Sequence, residues 1–413
     1  MDYDDAIDWL YNTQLFGIKL GLDATRDLFD RLNLFEALDG RIVFHVAGTN
    51  GKGSVCAMID SICCVADKRC GLFTSPHLIS FRERIRVNGS MIEEKEVATI
   101  LTRLRDEVSD WETHPTFFEL VLTLAVKHFC EKDAEILVVE TGMGGRLDAT
   151  NVLPTSVSVI TAIEMDHQQW LGDKLESIAM EKAGIIKSGV PAITSADQNK
   201  VVLQVLTQTA SERNAPLHKV RVGGCIDHQD IGLKGQHQRL NAMLAAEAVK
   251  TQWPDLPEAV VETGLREVCW PGRFDLRPGN IVIDGAHNPT AMDALVSTWR
   301  EEFGDEARAT IVFGAADSKE VSAMLTKLAA IAQCFVFVKL NAKRGLEVAA
   351  LEAALTESEG SDIPWSEALN AGDAMNQARA TEIPILVTGS LFLAGEALAL
   401  CDGMSPRFES SEQ

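Results

Sequence analysis

Short apolar, β-branched runs alternate along this chain with longer stretches of helical periodicity. The runs predict buried β-strands, and the stretches between them predict helices that cross from one parallel strand to the next. The clearest predicted strands are Ile42–Val46, Glu135–Glu140, Val157–Ile163, Ile281–Ile283, Thr310–Phe313, Phe335–Val338 and Ile385–Val387. Several are followed by Gly, Asp, Glu or Thr, as is typical of strands that carry ligand groups at their carboxyl ends. The pattern predicts an α/β fold with mainly parallel sheets.

The length of 413 residues suits two domains better than a single core. A helical stretch stops near Trp270-Pro271-Gly272-Arg273, and a new strand is predicted at Ile281, so we place the domain boundary there. We predict a larger domain over residues 1–270, a smaller Rossmann-like α/β domain over residues 275–405, and a disordered tail over residues 406–413. The weakly periodic stretch from Asn199 to Lys234 receives no assignment.

Composition excludes several classes of partner. The net charge of −22 argues against a nucleic-acid backbone, which needs clustered Lys and Arg. No apolar run approaches the roughly 20 residues that span a bilayer, and the acidic N-terminus does not resemble a signal peptide. We therefore expect a cytoplasmic protein that binds neither nucleic acid nor membrane. The nine cysteines are scattered and form no CxxC pair, which indicates reduced thiols.

A glycine-rich segment follows the first predicted strand. It reads Ala47-Gly48-Thr49-Asn50-Gly51-Lys52-Gly53-Ser54, and a helical pattern begins at Ser54. A strand, a glycine-rich turn and a helix N-terminus together hold phosphates, because backbone N–H groups and the helix dipole converge on the anion. Lys52 can reach terminal phosphates, and Ser54 can offer a hydroxyl to Mg²⁺. The segment departs from the common G-x-x-x-x-G-K-[ST] string, because Gly53 separates Lys52 from Ser54.

Three further polar residues lie at informative positions. Glu140 ends a predicted strand before a glycine-rich turn, His167 follows another strand, and Lys182 lies on an apolar helix. A carboxylate at a strand end near a phosphate loop is well placed for Mg²⁺. Each residue can equally have a structural role: a strand-end cap, a buried hydrogen-bonding imidazole or a solvated lysine. Spacing alone does not bring the three together.

An ordered set of motifs covers nearly the whole chain and resembles the folylpolyglutamate synthase/dihydrofolate synthase family of the Mur ligase superfamily. The matching strings are FGIKLGL (16–22), GTNGKGS (48–54), TSPHL and FRERIRVNG (74–89), TFFE (116–119), ETGMGGRLDATN (140–151), MDHQQWLG (165–172), EKAGIIK (181–187), GQHQRLNA (235–242), PGRFD (271–275), DGAHNP (284–289) and GSLFLAGE (389–396). The resemblance implies a P-loop-type ATPase domain followed by a glutamate-ligase domain.

The resemblance also implies roles for residues on the matching motifs. ATP binds to the phosphate loop, with Mg²⁺ held by Ser75, Glu140 and His167, and the family carries a carbamylated lysine at the position of Lys182. Carbamylation turns a cation into an anion near the metal. The remaining implied contacts are adenine with Asn241, the γ-phosphate with Arg273, ATP and glutamate with Asp284 and His287, and glutamate with Ser390.

The function implied is ATP-dependent addition of L-glutamate to a folate, and also to dihydropteroate, through an acyl phosphate. The substrates are small molecules, and we expect a monomer. Three alternatives stay open: a monofunctional folylpolyglutamate synthase, another Mur-type ligase and a nucleotide-binding regulator without catalysis. Fewer than fifty residues precede Gly48, too few for the nucleotide-sugar domain of peptidoglycan-building ligases. One departure from relatives is Ser318-Lys319-Glu320, where they often read Asp-Lys-Asp.

Overall fold

The computed structural model describes residues 1–17, 19, 21–166, 168–221, 223, 230–316, 320–341 and 345–404. Among the helices of this described part, none is both long and apolar enough to cross a membrane.

In the described part of the chain, eight strands form the first sheet in the order β4-β3-β2-β5-β1-β6-β7-β8. All neighbours are parallel except the pairs β2–β3 and β3–β4 at one end. The strands are β1 (Ile42–Ala47), β2 (Cys70–Phe73), β3 (Ile85–Val87), β4 (Ser90–Met91), β5 (Ile136–Glu140), β6 (Val157–Ile160), β7 (Ala192–Ser195) and β8 (Leu217–Val220).

Helices cover both faces of this sheet. They are α1 (Tyr3–Asn12), α2 (Asp23–Arg31), α3 (Leu34–Ala37), α4 (Lys52–Val65), α5 (Glu94–Glu107), α6 (Phe117–Glu131), α7 (Gln168–Leu171), α8 (Leu175–Ala183), α9 (Lys200–Glu212), α10 (Gln236–Gln252) and α11 (Glu258–Glu267). Short 3₁₀ helices occur at Thr13–Phe16, Phe81–Arg84 and Ala149–Val152.

The two-residue period of β5 explains how one strand serves two cores. Leu137 and Val139 pack in the cluster that holds α1, α2, α5 and α6, whereas Ile136 and Val138 pack in the cluster that holds α4, α10 and α11. Helix α4 lies between the sheet and the last two helices, so it is apolar on nearly all sides. The helix that follows the phosphate loop is thus a core element.

Six described strands form the second sheet in the order β13-β12-β11-β14-β10-β9, which is parallel except for β9 at one edge. The strands are β9 (Asp275–Arg277), β10 (Ile281–Ile283), β11 (Ala309–Phe313), β12 (Ala332–Val338), β13 (Trp365–Ala368) and β14 (Ile385–Thr388). Its helices are α12 (Pro289–Phe303), α13 (Val321–Ala329), α14 (Val348–Thr356), α15 (Ala371–Arg379) and α16 (Leu391–Cys401).

The predicted fold class is confirmed: both sheets are mainly parallel and covered by helices. The predicted strand Val157–Ile163 is too long, because Ala162 leaves the ladder to form a bridge with Asn50. The helix predicted from Ser54 begins two residues earlier, at Lys52. The unassigned stretch from Asn199 holds α9 and β8, and the predicted tail lies outside the described residues.

The two sheets meet through the segment that follows β2. Leu78 and Ile79 pack against the apolar cluster of the second sheet. A Cβ atom added at Gly395 of α16 would lie 2.0 Å from the Leu78 carbonyl oxygen, so glycine permits this close approach. This contact places the end of β2 beside the second sheet.

Candidate active site

The glycine-rich loop is held by the strand beside it. Gly48 has φ +158°, and a Cβ there would lie 1.8 Å from the Thr161 hydroxyl oxygen. That hydroxyl donates to the Asn50 carbonyl oxygen at 2.8 Å, and Thr49 N–H donates to the Ala162 carbonyl at 2.7 Å. Gly51 adopts φ +88°, a conformation that favours glycine. The loop therefore has a set shape, and its helix begins at Lys52.

Two lysines converge on one backbone oxygen of this loop. Lys52 Nζ donates to the Gly48 carbonyl at 3.2 Å and to the Thr49 carbonyl at 3.2 Å. Lys182 Nζ, which α8 brings from the other side, donates to the same Gly48 carbonyl at 2.6 Å. Lys182 is only 1% exposed, and burial, with a smaller effect of the Lys52 charge, lowers its pKa to about 7. Lys52, together with Lys182 in its protonated form, therefore favours an anion at this corner of the site.

Glu140 and Ser75 lie together at the carboxyl ends of two neighbouring strands. Glu140 ends β5 and Ser75 follows β2, and Ser75 N–H donates to Glu140 Oε2 at 3.0 Å. Glu140 is buried, which raises the pKa of its carboxyl group, while Lys52, the Ser75 N–H and Arg273 act in the opposite direction. A buried carboxylate beside a hydroxyl-bearing residue offers the hard oxygen donors that Mg²⁺ takes.

The third predicted metal ligand, His167, lies outside the described residues. Within the described residues, no group of three or more His, Cys, Asp or Glu side chains could hold a metal ion. Protein-bound Mg²⁺ usually keeps several waters and takes only one or two carboxylates, together with substrate phosphates, so a site with few protein ligands fits that metal.

Ser54 and Asn241 lie where α4 meets α10. The buried Ser54 hydroxyl accepts a hydrogen bond from Gln238 Nε2 at 3.4 Å, and Asn241 Nδ2 donates to Gln238 Oε1 at 2.9 Å. A Cβ at Gly51 would lie 2.6 Å from Asn241 Oδ1. Asn241 therefore borders the loop, whereas the described contacts of Ser54 are with α10 and not with Glu140.

The second sheet supplies Arg273, Asp284, His287 and Ser390. Asp284 accepts hydrogen bonds from Phe274 N–H at 2.7 Å and from Ala286 N–H at 2.8 Å, so each of its carboxylate oxygens is bonded to a backbone N–H group. His287 Nδ1 hydrogen-bonds to the Gly285 carbonyl at 2.8 Å. Ser390 is the buried N-cap of α16, and its hydroxyl accepts from Phe392 N–H at 3.1 Å.

Arg273 has no hydrogen bond or ion pair to any described residue, because Asp275 pairs with Arg277 instead, at 2.8 Å. Arg273 lines an open cleft between the two sheets. The cleft is lined by Gly53, Thr74, Ser75, Pro76, Leu78, Glu83, Arg86, Glu140, Trp270, Pro271, Arg273 and Leu391. Lys52, Lys182, Ser75, Glu140 and Arg273 are thus placed around the loop and this cleft.

Sequence reasoning missed residues that position the loop. Glu164 Oε2 accepts from Asn50 Nδ2 at 2.8 Å, and Glu164 N–H donates to the Thr49 hydroxyl at 3.1 Å. Asn288 Nδ2 contacts Asn50 Oδ1 at 3.5 Å, which links α12 to the loop. The position of Glu164 after a strand was a usable signal. Ser318 and Lys319 lie outside the described residues, and Glu320 directly precedes α13.

Two family models match the chain. The Mur ligase middle domain matches residues 46–214, and the Mur ligase glutamate ligase domain matches residues 272–391. The first match contains the phosphate loop, Glu140 and Lys182, and the second contains Arg273, Asp284 and His287.

Named proteins and solved structures resemble the chain over nearly its full length. A dihydrofolate synthase/folylpolyglutamate synthase of Bacillus subtilis is 34% identical over 95% of this chain and 98% of its own. A Mycobacterium tuberculosis folylpolyglutamate synthase, solved with ADP and AMPPCP, has 30% identity and a TM-score of 0.86, and the match covers 98% and 100% of the two chains. A bifunctional enzyme of Yersinia pestis, solved with AMPPNP and a Mn ion, has 26% identity and a TM-score of 0.83, covering 97% and 98%.

Proposed function

This chain belongs to the folylpolyglutamate synthase/dihydrofolate synthase family of Mur ligases, and from that premise we propose that it joins L-glutamate to a folate at the expense of ATP. It is an ATP-dependent ligase that uses a divalent metal ion, for which Mg²⁺ is suitable. The observation that carries the proposal is the convergence of Lys52, Lys182 and the Glu140–Ser75 pair around one glycine-rich loop. The name of the Bacillus subtilis relative supports addition of glutamate to dihydropteroate as well.

In the first step, a carboxylate oxygen of the folyl or pteroyl substrate attacks the γ-phosphorus of ATP. The bond to the β,γ-bridging oxygen breaks, ADP leaves, and an acyl phosphate forms. Lys52 and Arg273 neutralise charge on the transferring phosphoryl group, so catalysis is chiefly positioning and electrostatics. Arg273 suits this role because its planar donors match a phosphate and are not engaged by described residues.

Ser75 and Glu140 would hold Mg²⁺ together with His167, and Ser54 is a less direct candidate because its hydroxyl is engaged by Gln238. The ion supplies positive charge to the phosphate oxygens. Burial raises the pKa of Glu140, but the charge of Lys52 opposes that rise and so favours the carboxylate form that binds a cation.

In the second step, the amine of L-glutamate attacks the acyl carbonyl, loses a proton, and phosphate leaves with the bonding electron pair. His287 and Ser390 at the edge of the second sheet are proposed to hold the glutamate. Asp284 is proposed to act by fixing the backbone of Phe274 and Ala286, because both its oxygens are taken. Asn241 is proposed to contact adenine, since it borders Gly51.

The surroundings of Lys182 support the carbamylation that the family resemblance implies. Its pKa of about 7 leaves much of the amine neutral at physiological pH, and a neutral amine can attack CO₂ to give a carbamate and a proton. The product is an anion beside the Lys52 ammonium, so repulsion between two cations becomes attraction. We propose this modification as the working state of Lys182.

The domain division at residues 270–275 and the monomeric state are also proposals. Apolar residues up to Val268 belong to a cluster of the first sheet, and those from Phe274 onward belong to clusters of the second, which supports the division. The cytoplasmic location stays a prediction.

The deciding experiment measures phosphate release with Mg·ATP and L-glutamate, offering either dihydropteroate or a reduced monoglutamyl folate. We expect turnover with both substrates, and we expect Lys52→Ala to remove it. Turnover with the folate alone would leave a tail-lengthening synthase. If neither substrate stimulates release and Lys52→Ala behaves like the parent protein, the ligase assignment fails and a nucleotide-binding regulator replaces it.

A further inference from the structure

One guanidinium group lining the cleft has no role in the mechanism above. Arg86 lies on β3, half-buried, and its Nε donates to the Glu83 carbonyl oxygen at 3.3 Å. Its Cζ lies 5.5 Å from the centroid of the Trp270 ring, in cation–π geometry. Among the described residues, none forms an ion pair with Arg86 within 4.0 Å. The N–H groups on Nη1 and Nη2 of Arg86 are therefore available to donate hydrogen bonds to a ligand.

The carboxylates that line the same cleft are already engaged. Both oxygens of Glu83 accept backbone N–H groups, from Leu78 at 2.8 Å and from Ile79 and Ser80 at 2.8 and 2.7 Å. Glu140 accepts from Ser75 and is the proposed metal ligand. Arg86 and Arg273 thus line the same cleft, and neither Glu83 nor Glu140 forms an ion pair with them. The cleft can therefore accept an anion in addition to the transferring phosphate.

Trp270 fixes Arg86 relative to the phosphate loop. A Cβ added at Gly53 would lie 3.2 Å from the Trp270 ring nitrogen, so the indole packs directly on the first turn of α4. One indole thereby contacts both the start of that helix and the Arg86 guanidinium. Contact with the flat indole ring restricts the guanidinium to few orientations, which reduces the entropy lost when it binds a ligand.

We propose that Arg86 binds a carboxylate of one of the two non-nucleotide substrates, with Trp270 as its positioning residue. This inference rests on the proposed function and adds a substrate contact from the first sheet. The carboxylate belongs either to L-glutamate or to the glutamyl group of a folate. Dihydropteroate separates these sources, because its single carboxylate is the reacting one.

The test compares Arg86→Met and Arg86→Lys with the parent enzyme. Steady-state KM values are measured for L-glutamate, the reduced folate and dihydropteroate, together with KM for ATP. Loss of a charged hydrogen bond predicts a rise of about 10- to 100-fold in one carboxylate KM for Arg86→Met. We expect a smaller rise for Arg86→Lys, and changes under threefold in KM for ATP. The matched control is Arg82→Met, because Arg82 pairs with Glu94 at 3.6 Å and does not line the cleft.

A rise confined to KM for L-glutamate assigns the contact to the incoming amino acid. A rise confined to the folate, absent with dihydropteroate, assigns it to the glutamyl carboxylate. Unchanged values for all three substrates overturn the proposal. So does a uniform loss of activity in Arg86→Met with a lowered Tm, since that indicates a structural role.

Calorimetric titration separates this proposal from the ligase assignment. L-glutamate and the folate are titrated into parent and Arg86→Met proteins in the presence of Mg²⁺ and a non-hydrolysable ATP analogue. If the parent protein shows no turnover, the ligase assignment fails, while weaker carboxylate binding by Arg86→Met still supports the anion site. Equal binding, or no binding by either protein, refutes it. Trp270→Phe is expected to raise the same dissociation constant by a few fold.

Discussion

Lys52 and Lys182 donate to one shared acceptor, the Gly48 carbonyl oxygen, from 3.2 and 2.6 Å. They come from different helices and from positions 130 residues apart in the chain. Neither ammonium group neutralises the other, so the pair is stabilised when an anion arrives between them or when one charge is removed. This relationship makes the chemical state of Lys182 the most informative feature of the site.

Labelled bicarbonate should reveal a carbamate on Lys182. We expect a carbamate carbon signal by ¹³C NMR in the parent protein and its absence in Lys182→Ala, whose kcat should fall by about 100-fold or more. A short carboxylic acid should restore part of the activity, because it returns the missing anion. A parent protein that keeps full activity after rigorous removal of CO₂, without a carbamate signal, contradicts the modification.

Glu140→Gln should strongly reduce activity and yet stabilise the fold. Burial raises the carboxyl pKa above its usual value, so the native state binds more protons than the unfolded state in that range, and stability falls as the pH rises through it. Glutamine has no charge to bury. We expect a higher Tm than the parent at pH 8 without metal, a difference that shrinks toward pH 5, and a loss of about 100-fold in kcat. An equal or lower Tm at pH 8 would show that the attraction of the Glu140 carboxylate to Lys52 and Arg273 outweighs the cost of burying its charge.

Asp284→Asn should loosen the backbone around Arg273. The carboxylate accepts from Phe274 N–H and Ala286 N–H, and Phe274 has a positive φ of 45°. Asparagine keeps one acceptor and turns an N–H₂ group toward the other donor, which costs about 1–3 kcal/mol. Denaturant unfolding should show that loss. KM for ATP and kcat should both worsen, and Asp284→Ala should resemble or exceed Asp284→Asn. A variant with parental stability and kinetics would remove Asp284 from this role.

Gly395→Ala should disturb the contact between the two sheets. The new methyl group would lie 2.0 Å from the Leu78 carbonyl oxygen, which is backbone and cannot rotate away. Overpacking of this kind costs about 1–3 kcal/mol, so Tm should drop by several degrees. Gly21→Ala is the stability control, because no atom lies within 4 Å of a Cβ there. Equal Tm values for both variants would show that the helix adjusts freely.

Much of the fold could be predicted because parallel strands buried on both faces carry continuous apolar runs, as Ile42–Ala47 and Ile136–Glu140 do. Edge strands such as Asp275–Arg277 and Trp365–Ala368 are partly exposed and lack that signal, so they were missed. The contacts of Glu164 and Arg86 depend on chain segments distant in sequence. No local pattern encodes them, and a position after a strand only suggests them.

The register of β9 determines which of the two sheets carries Arg273. Asp275 pairs with Ile283, and Arg277 pairs with Ile281, so the strand that starts two residues after Arg273 is anchored in the second sheet. Arg273 is therefore carried by the second sheet, which is proposed to bind the amino acid, although its own proposed contact is with the nucleotide on the first sheet. If Arg273 acts as proposed, it couples phosphoryl transfer to the alignment of the two sheets, because its charge would reach the phosphate only when both sheets are correctly placed.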